Sequence, residues 1–345
     1  MPTIFDLVTA NHIAAYWLEV GNADTHFTES LFPTQKQLGL NLEWIKGSKG
    51  RPVVLNPSAF DAASIPRARI GFTELKAQMP YFKESLYVDE ELRQQLNLMI
   101  ATGKQPLIDS VLDRVFDDQL RLLRAAAARR EQMRCMLLTT GAIAMVGNGQ
   151  EHLFDYGLKH KENVAVAWSD TATANPIEDI RLAKETIQEE TGEVLTRAMC
   201  DGLSFRNLVN NAKIRASIFA FTPGTGGIVS ERLLNQFLLD EVGITVLVNN
   251  NRYVESNGTT VRYVPENTFS MFPDGNLGNT WFGTTPAESD LMNSNIANVA
   301  TVDTGVAVTT ATKTDPVQVE TIVSQICLPS LERADSIYIL DTNPA

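Results

Sequence analysis

Cysteine is scarce. Cys135, Cys200 and Cys327 are the three in 345 residues, and no C-x-x-C pair occurs. An odd, dispersed set forms no disulfide framework and points to a reducing compartment. Histidine is nearly as rare: His12, His26, His152 and His160 show none of the spacings that ligate metal, such as H-E-x-x-H. Long apolar runs are missing as well. The longest, Met136–Val146, is interrupted by Thr139, Thr140 and Gly141, and a bilayer span needs ~20 residues, so no membrane partner is expected. Residues 1–20 hold no lysine or arginine, which argues against a secretory leader and for a cytosol. Positive charge is in deficit, 29 basic against 41 acidic residues for a net −12. That balance disfavours a dedicated nucleic-acid binder. With 21 glycines, 15 prolines, 44% hydrophobic and 20% charged residues, the composition is that of an ordinary globular chain. Its length suits two or three compact units, or one with large insertions.

Catalytic motifs are incomplete too. Thr222-Pro223-Gly224-Thr225-Gly226-Gly227 lacks the lysine of a P-loop and reads as a surface loop. Ser204, in Gly202-Leu203-Ser204-Phe205-Arg206, lacks the second glycine of a nucleophile elbow. Asp109, Asp113 and Asp117 share a helix face, but Arg114, Arg121 and Arg124 lie on the same helix, so an ion-paired or solvated face accounts for both sets. Cys135 and Cys200 have only Arg134 and Arg197 nearby and read as buried, inert thiols. No catalytic residue, metal or cofactor is assigned, and the chain is not expected to be an enzyme.

What is present is architectural. The stretch to about Trp44 offers a short helix with Ile4, Leu7, Ile13, Trp17 and Val20 loosely spaced, then an irregular arm carrying Phe27, Leu31, Phe32 and Leu38. Without a core of its own, such an arm is expected to lie on something else. Lys46–Lys83 follows, with β-type fragments at Val53–Leu55 and Arg69–Thr73. Its Lys46, Lys49, Arg51, Arg67, Arg69, Lys76 and Lys83 face only Asp61 and Glu74. Folded as a hairpin it would reach roughly 60 Å at ~3.3 Å per residue, so its tip is expected to touch another molecule. Helical spacing runs through Leu92–Ile100, and again from Pro106 through Val115, Leu122 and Ala126 to about Thr139–Gly141. Asn175-Pro176-Ile177-Glu178 reads as a capped helix start, and Phe205–Ile214 and Glu231–Leu239 as short helices. Strands are expected at Ala142–Val146 and Leu153–Tyr156 around Gly147-Asn148-Gly149, and at Val194–Met199 and Ile244–Val248. Tyr253–Glu255 and Thr260–Val264 flank Asn257-Gly258, a strong hairpin signal. Val306–Thr310, Val317–Ile326 and Ser336–Leu340 are further strands, in a region, Glu266–Ala345, with ten acidic residues against Lys313 and Arg333.

Taken in order, these pieces resemble the major capsid proteins of tailed bacteriophages, in particular the lambda-like major capsid protein E family, over roughly Leu42–Leu340. The resemblance rests on Ile70-Gly71-Phe72-Thr73 through Pro80-Tyr81-Phe82-Lys83 ahead of Asp89-Glu90-Glu91, and on Leu137-Leu138-Thr139-Thr140-Gly141 closing the long helix. It rests also on Trp168-Ser169-Asp170 leading to Asn175–Ile180, and on Tyr253-Val254-Glu255 through Val264–Thr268 before an apolar strand. It implies an α+β, Hong Kong 97-like phage capsid fold. Residues 1–44 would be an N-terminal arm, 45–82 an extended E-loop, and 83–168 a peripheral domain with a spine helix at about 106–138. Residues 169–309 would be an axial domain, and 310–345 C-terminal strands returning to the peripheral domain. Gly103 and Thr139–Gly141 are its expected hinges.

The implied role is that of a major capsid protein. It would self-assemble as pentamers and hexamers into an icosahedral head shell enclosing the phage double-stranded DNA, without sequence-specific contact. The place would be the virion, after assembly in the bacterial host cytoplasm. Partners would include a portal protein and, because the short arm leaves no room for a fused scaffolding domain, a separate scaffolding protein; a decoration protein is left open. The inter-subunit contact residues expected are Lys46, Lys49, Arg51, Arg67, Arg69 and Lys76, laid on an acidic surface of the adjacent subunit. An α/β enzyme with a non-local site, or another phage structural protein (tail or decoration), are the competing readings.

Overall fold

The computed structural model describes residues 8–20, 26–46, 73–88, 90, 91, 93–95, 98, 105–147, 149–220, 228–292, 297–315 and 317–344. In chain order, helix α1 (Ala10–Val20) is followed by β1 (Thr34–Lys36), β2 (Asn41–Lys46), β3 (Thr73–Gln78), β4 (Tyr81–Val88) and the long helix α2 (Gln105–Thr140). Then come β5 (Ala142–Gly147), β6 (Gln150–Asp155), β7 (His160–Asn163), α3 (Pro176–Thr191), β8 (Leu195–Cys200), α4 (Gly202–Asn210), α5 (Ala212–Ala220) and α6 (Glu231–Val242). The rest is mostly strand: β9 (Thr245–Val248), β10 (Arg252–Val254), β11 (Thr260–Arg262), β12 (Thr268–Pro273), β13 (Thr280–Phe282), β14 (Asn298–Val302), β15 (Val306–Thr314), β16 (Val317–Pro329) and β17 (Tyr338–Asp341). The chain divides into two units, each discontinuous in sequence: Met1–Leu42 with Lys76–Arg134 and Asn279–Ser330, and Glu43–Leu75 with Cys135–Gly278 and Leu331–Ala345.

β16 organises the first unit. β15 runs antiparallel along one edge, from Val306 opposite Gln325 to Thr314 opposite Val317. The other edge is shared by β4, from Val88 opposite Val319 to Tyr81 opposite Ile326, and then by β13, with Phe282 opposite Cys327. β14 extends the sheet beyond β15, and β1 pairs in parallel with β13. Because side chains alternate across a strand, these registers put Val302, Val306, Val308, Val319 and Val323 on one face, and all are buried. Gln325, on the same face, donates to the Ala126 carbonyl of α2 at 3.0 Å. α1 packs on β14 and β15 and buries Ala10, Ile13 and Trp17. The Ala10 N–H donates to Thr310 Oγ1 at 3.2 Å. The described part of the N-terminal segment therefore leans on its own sheet.

α2 has 36 residues, about 54 Å at 1.5 Å per residue; it starts one residue before the expected Pro106 and ends at Thr140, within the expected Thr139–Gly141 stop. The division between units falls within it, after Arg134. It stops at Gly141, whose φ of +75° favours glycine and where a Cβ would stand 2.5 Å from Leu158 Cδ1. Of the helix expected at Leu92–Ile100, the described residues 93–95 and 98 are helical. β2 pairs with β3 as a two-stranded ribbon. Between them, the expected Val53–Leu55 strand lies outside the described residues. Tyr81, Phe82 and Lys83, read from sequence as part of the extended segment, belong to β4 and the sheet.

The second unit carries a five-stranded sheet in the order β7-β17-β12-β8-β9, with β7–β17 and β8–β9 parallel and the central pairs antiparallel. Its core joins Leu195, Ala198, Val246, Phe269 and Met271 of the sheet to Ile180, Ala183 and Ile187 of α3, Phe205 and Leu208 of α4, and Leu234 and Leu238 of α6. Each of these side chains larger than alanine contributes about 1.5–3 kcal/mol by leaving water. β5–β6 and β10–β11 are the two hairpins read from their turns.

The Trp168-Ser169-Asp170 passage has a physical reason here. Trp168 is fully buried, its ring centroid 5.1 Å from that of Phe269 in an edge-to-face arrangement, and its Nε1 donates to Asp179 at 2.8 Å. Asp170 accepts the N–H groups of Ala172 and Thr173. The Thr171 and Ala174 carbonyls then accept from the Ala212 N–H at 2.8 Å and Asn211 Nδ2 at 3.1 Å. The turn thus fixes the start of α3 against the α4–α5 junction. Two expectations need correction. Asn175 precedes α3 as expected, but its side chain makes no capping bond; its carbonyl takes the Glu178 N–H at 3.0 Å. The single helix expected at Phe205–Ile214 is two, broken at buried Asn211, whose Oδ1 accepts from the N–H groups of Lys213 and Ile214 and caps α5.

Candidate functional site

Of the six basic residues expected to touch a neighbouring subunit, the structure places Lys46 at the end of β2 and Lys76, exposed, on β3. Lys49, Arg51, Arg67 and Arg69 lie outside the described residues. The acidic surface expected to receive them is narrower than its composition suggests. Glu266 pairs with Arg262, Asp274 with Arg197, Glu288 with Lys36, Asp303 with Arg130, Glu320 with Lys313 and Asp335 with Lys159. These acids serve their own chain first.

Arginine takes two contrasting positions. In the first unit Arg130 donates to Gln325 Oε1 at 2.9 Å and to Asp303 Oδ2 at 3.0 Å, while Trp17 Nε1 donates to the other Asp303 oxygen at 3.1 Å. One turn on, Arg134 Nε donates to Thr280 Oγ1 at 2.9 Å and its guanidinium lies 4.0 Å from Glu131, which also accepts from Thr28. Burial lowers the Arg134 pKa. This network fastens α1 and the turn at Phe27–Ser30 to α2.

In the second unit three arginines stand at the surface around a cleft of about 570 Å³. It opens where the parallel strands β8 and β9 end, beside the first turns of α4 and α6. Its lining includes Leu203, Arg206, Val209, Glu231, Val248, Asn250, Arg252 and Arg262. Asn250 Oδ1 accepts from the Gly202 N–H at 2.9 Å and from Arg262 at 3.4 Å, and Arg262 pairs with Glu266 at 3.2 Å. Arg206 and Arg252 are exposed. Arg252 and Arg262 stand opposite each other on the β10–β11 hairpin; sequence reading missed the group because Arg206, on α4, joins that pair only through the tertiary fold.

Chemistry is sparse elsewhere. All three cysteines are buried. Burial pushes the Cys200 thiol up, and carries Cys327 to about 11 against the pull of Arg130 and Arg134. Both stay protonated near neutrality and are poor nucleophiles. Among the described residues no group of three or more histidines, cysteines or acids is placed to hold a metal ion, and no helix is long and apolar enough to cross a membrane.

Solved structures place this architecture. A prophage protein of Escherichia coli CFT073 described as a capsid protein is similar with a TM-score of 0.61 at 16% identity, over 97% of this chain and 99% of that one. A phage-related protein of Bordetella bronchiseptica RB50 gives 0.57 at 15%, over 98% and 99%. The capsid of cyanophage A-1(L) gives 0.50 at 13%, over 93% of each. The fold is that of the Hong Kong 97-like phage capsid proteins. A family model for phage major capsid protein E matches residues 9–342, and the chain belongs to that family. No curated protein sequence matches it.

Proposed function

We propose that copies of this chain join as pentamers and hexamers into the icosahedral head shell that encloses phage double-stranded DNA, a structural role without catalysis. The family match across residues 9–342 carries this reading. The exposed surface supports it: Leu38, Val146 and Ile228 are large apolar side chains left 90%, 82% and 95% exposed on a single copy, and contacts with further copies would cover such groups. Residues 1–44 act as the arm and the segment between β2 and β4 as the E-loop; the unit built on β16, with β13, β14 and β15, acts as the peripheral domain, and the unit with the five-stranded sheet, β7 and β17 included, as the axial domain. Heterologous contacts close into rings, and the E-loop and arm join them. A net charge of −12 suits an inner wall along which DNA must slide, since phosphate binds basic surfaces. A separate scaffolding protein and a portal protein complete the assembly in the host cytoplasm.

Sedimentation and negative-stain microscopy of the expressed chain, with and without a scaffolding partner, test the reading. Capsomer rings or shells are expected; a monomer under every condition would overturn it. Charge reversal at both Arg67 and Arg69 should impair shell formation. Normal particles from that variant would remove the E-loop bases from the contact while leaving the capsid reading intact.

A further inference from the structure

The arginine cleft has a complement on the same unit. Leu182, Glu185 and Glu189 follow one another at spacings of three and four residues along α3 and so share one face. Leu182 is 59% exposed, and Glu185 and Glu189 are exposed with no basic partner among the described residues. The other charges of this helix are engaged within the unit. Arg181 bonds Glu241 and lies 3.9 Å from Glu178, Lys184 donates to the Val242 carbonyl, and Glu190 lies 3.1 Å from His160. In the cleft, Arg262 is held by Glu266 and Asn250, but Arg206 and Arg252 have no carboxylate partner among the described residues. The cleft's one carboxylate besides is Glu231, so three arginines face a single acid.

The two surfaces cannot meet within one copy. Glu231, in the cleft, begins α6, while Glu241 and Val242, which hold α3, end it. They lie at the two ends of this twelve-residue helix, about 16 Å apart at 1.5 Å per residue. Two different, complementary patches at opposite ends of one helix define a heterologous contact, and repetition of such a contact by rotation closes a ring.

We infer that the cleft of one copy receives the α3 face of the next, with Glu185 and Glu189 reaching Arg206 and Arg252, and Leu182 set against the apolar wall of Leu203, Val209 and Val248. The occupant is a second copy of this chain. A phosphate group would satisfy the arginines but leave that wall and Leu182 bare. The inference rests on the capsid reading and names the surfaces through which its rings close.

The test uses the full chain. Variant A carries Arg206→Glu and Arg252→Glu; variant B carries Glu185→Arg and Glu189→Arg. All four positions are exposed, and circular dichroism and thermal melting should match the unaltered chain. Each variant alone then sets like charge against like, raising the concentration for half-assembly about tenfold or more. The four substitutions combined in one chain restore assembly. An equimolar mixture of A and B restores even-membered rings but not pentamers, because the two must alternate. High salt should weaken ring formation by the unaltered chain.

If A and B each assemble like the unaltered chain, the inference fails and the capsid reading stands. If the combined chain is not rescued, the pairing is wrong. If A loses only its retention of double-stranded DNA while assembling normally, the cleft is a phosphate site and the inference is overturned. If the unaltered chain never assembles with its scaffolding partner, both readings fail together.

Discussion

Two pairs of arginines, one pair in each unit, do opposite work. In the first, Arg130 and Arg134 are 5% and 1% exposed and bond side chains drawn from distant segments of their own chain. In the second, Arg206 and Arg252 stand in water at the mouth of a cleft. The difference follows from desolvation. A guanidinium taken out of water costs several kcal/mol unless its partner is folded in beside it, so a buried arginine must bind its own chain. An exposed one remains hydrated until a partner arrives. Burial thus separates arginines that build the protomer from those available to join protomers, although residue type is the same. The units differ as well in what fastens them: charge around Arg130 in one, an aromatic core around Trp168 in the other.

Truncating Trp168 to alanine tests the aromatic side and should have the largest effect. The side chain is fully buried and its indole N–H is bonded to Asp179, so Trp168→Ala should cost about 3–5 kcal/mol. Denaturant unfolding measures the loss, and hydrogen exchange should place it in α3 and β12. Asp303→Asn tests the charged side. It keeps the Trp17 acceptor and the tolerance of a φ of +50° but leaves Arg130 without its counter-charge. Because Asp303 is about one-third exposed, solvent softens the penalty to about 2 kcal/mol, read as faster exchange in α1 and β14. Should Asp303→Asn prove the costlier, or both losses spread over the whole chain, the contrast between a charge-fastened and an aromatic-fastened unit collapses.

That contrast was only partly legible in sequence. Signals confined to a few adjacent residues survived intact. Asn257-Gly258 made its hairpin, and the apolar spacing from Pro106 onward made the long helix. The family passage from Trp168 to Ile180 was recognised as a pattern, but its cause was not, because the partners of Trp168, Thr171 and Ala174 are Phe269, Ala212 and Asn211, up to a hundred residues away. The break at Asn211 was missed since helical spacing continues across it; an asparagine two and three residues before Lys213 and Ile214 was the available signal. β1 and β13, three residues each, are too short to show alternation and exist because neighbouring strands supply their bonds. The arginine cleft left one local trace, Arg252 opposite Arg262 on the hairpin around Asn257-Gly258, but nothing in the sequence ties Arg206 to that pair. The acidic C-terminal region misled in another way, since charge counts cannot tell that Asp303 or Glu320 is already paired at home.

Acid titration sharpens the contrast at the smallest scale. On the first unit's sheet, partial burial pushes the Glu320 carboxyl up, but hydrogen bonds from Lys313, Tyr87 and Ser85 outweigh it and leave the pKa below its usual 4.5. The unfolded state therefore takes up this proton first. The stabilisation is present above pH 4.5 and is lost as pH falls through the lower, folded value. In the second unit, burial raises the Asp179 pKa above 3.8 despite the bond from Trp168. Here the folded state takes up the proton first, so stability increases as pH falls through the raised value toward 3.8 and is level below it. Glu320→Gln should flatten the acid-side loss measured in the first unit, and Asp179→Asn, which keeps an acceptor for Trp168, should remove the gain in the second. Hydrogen exchange followed between pH 6 and pH 3 separates them. Shifts of the same sign in both units would mean that the Asp179 carboxyl is governed by its hydrogen bond rather than by its burial.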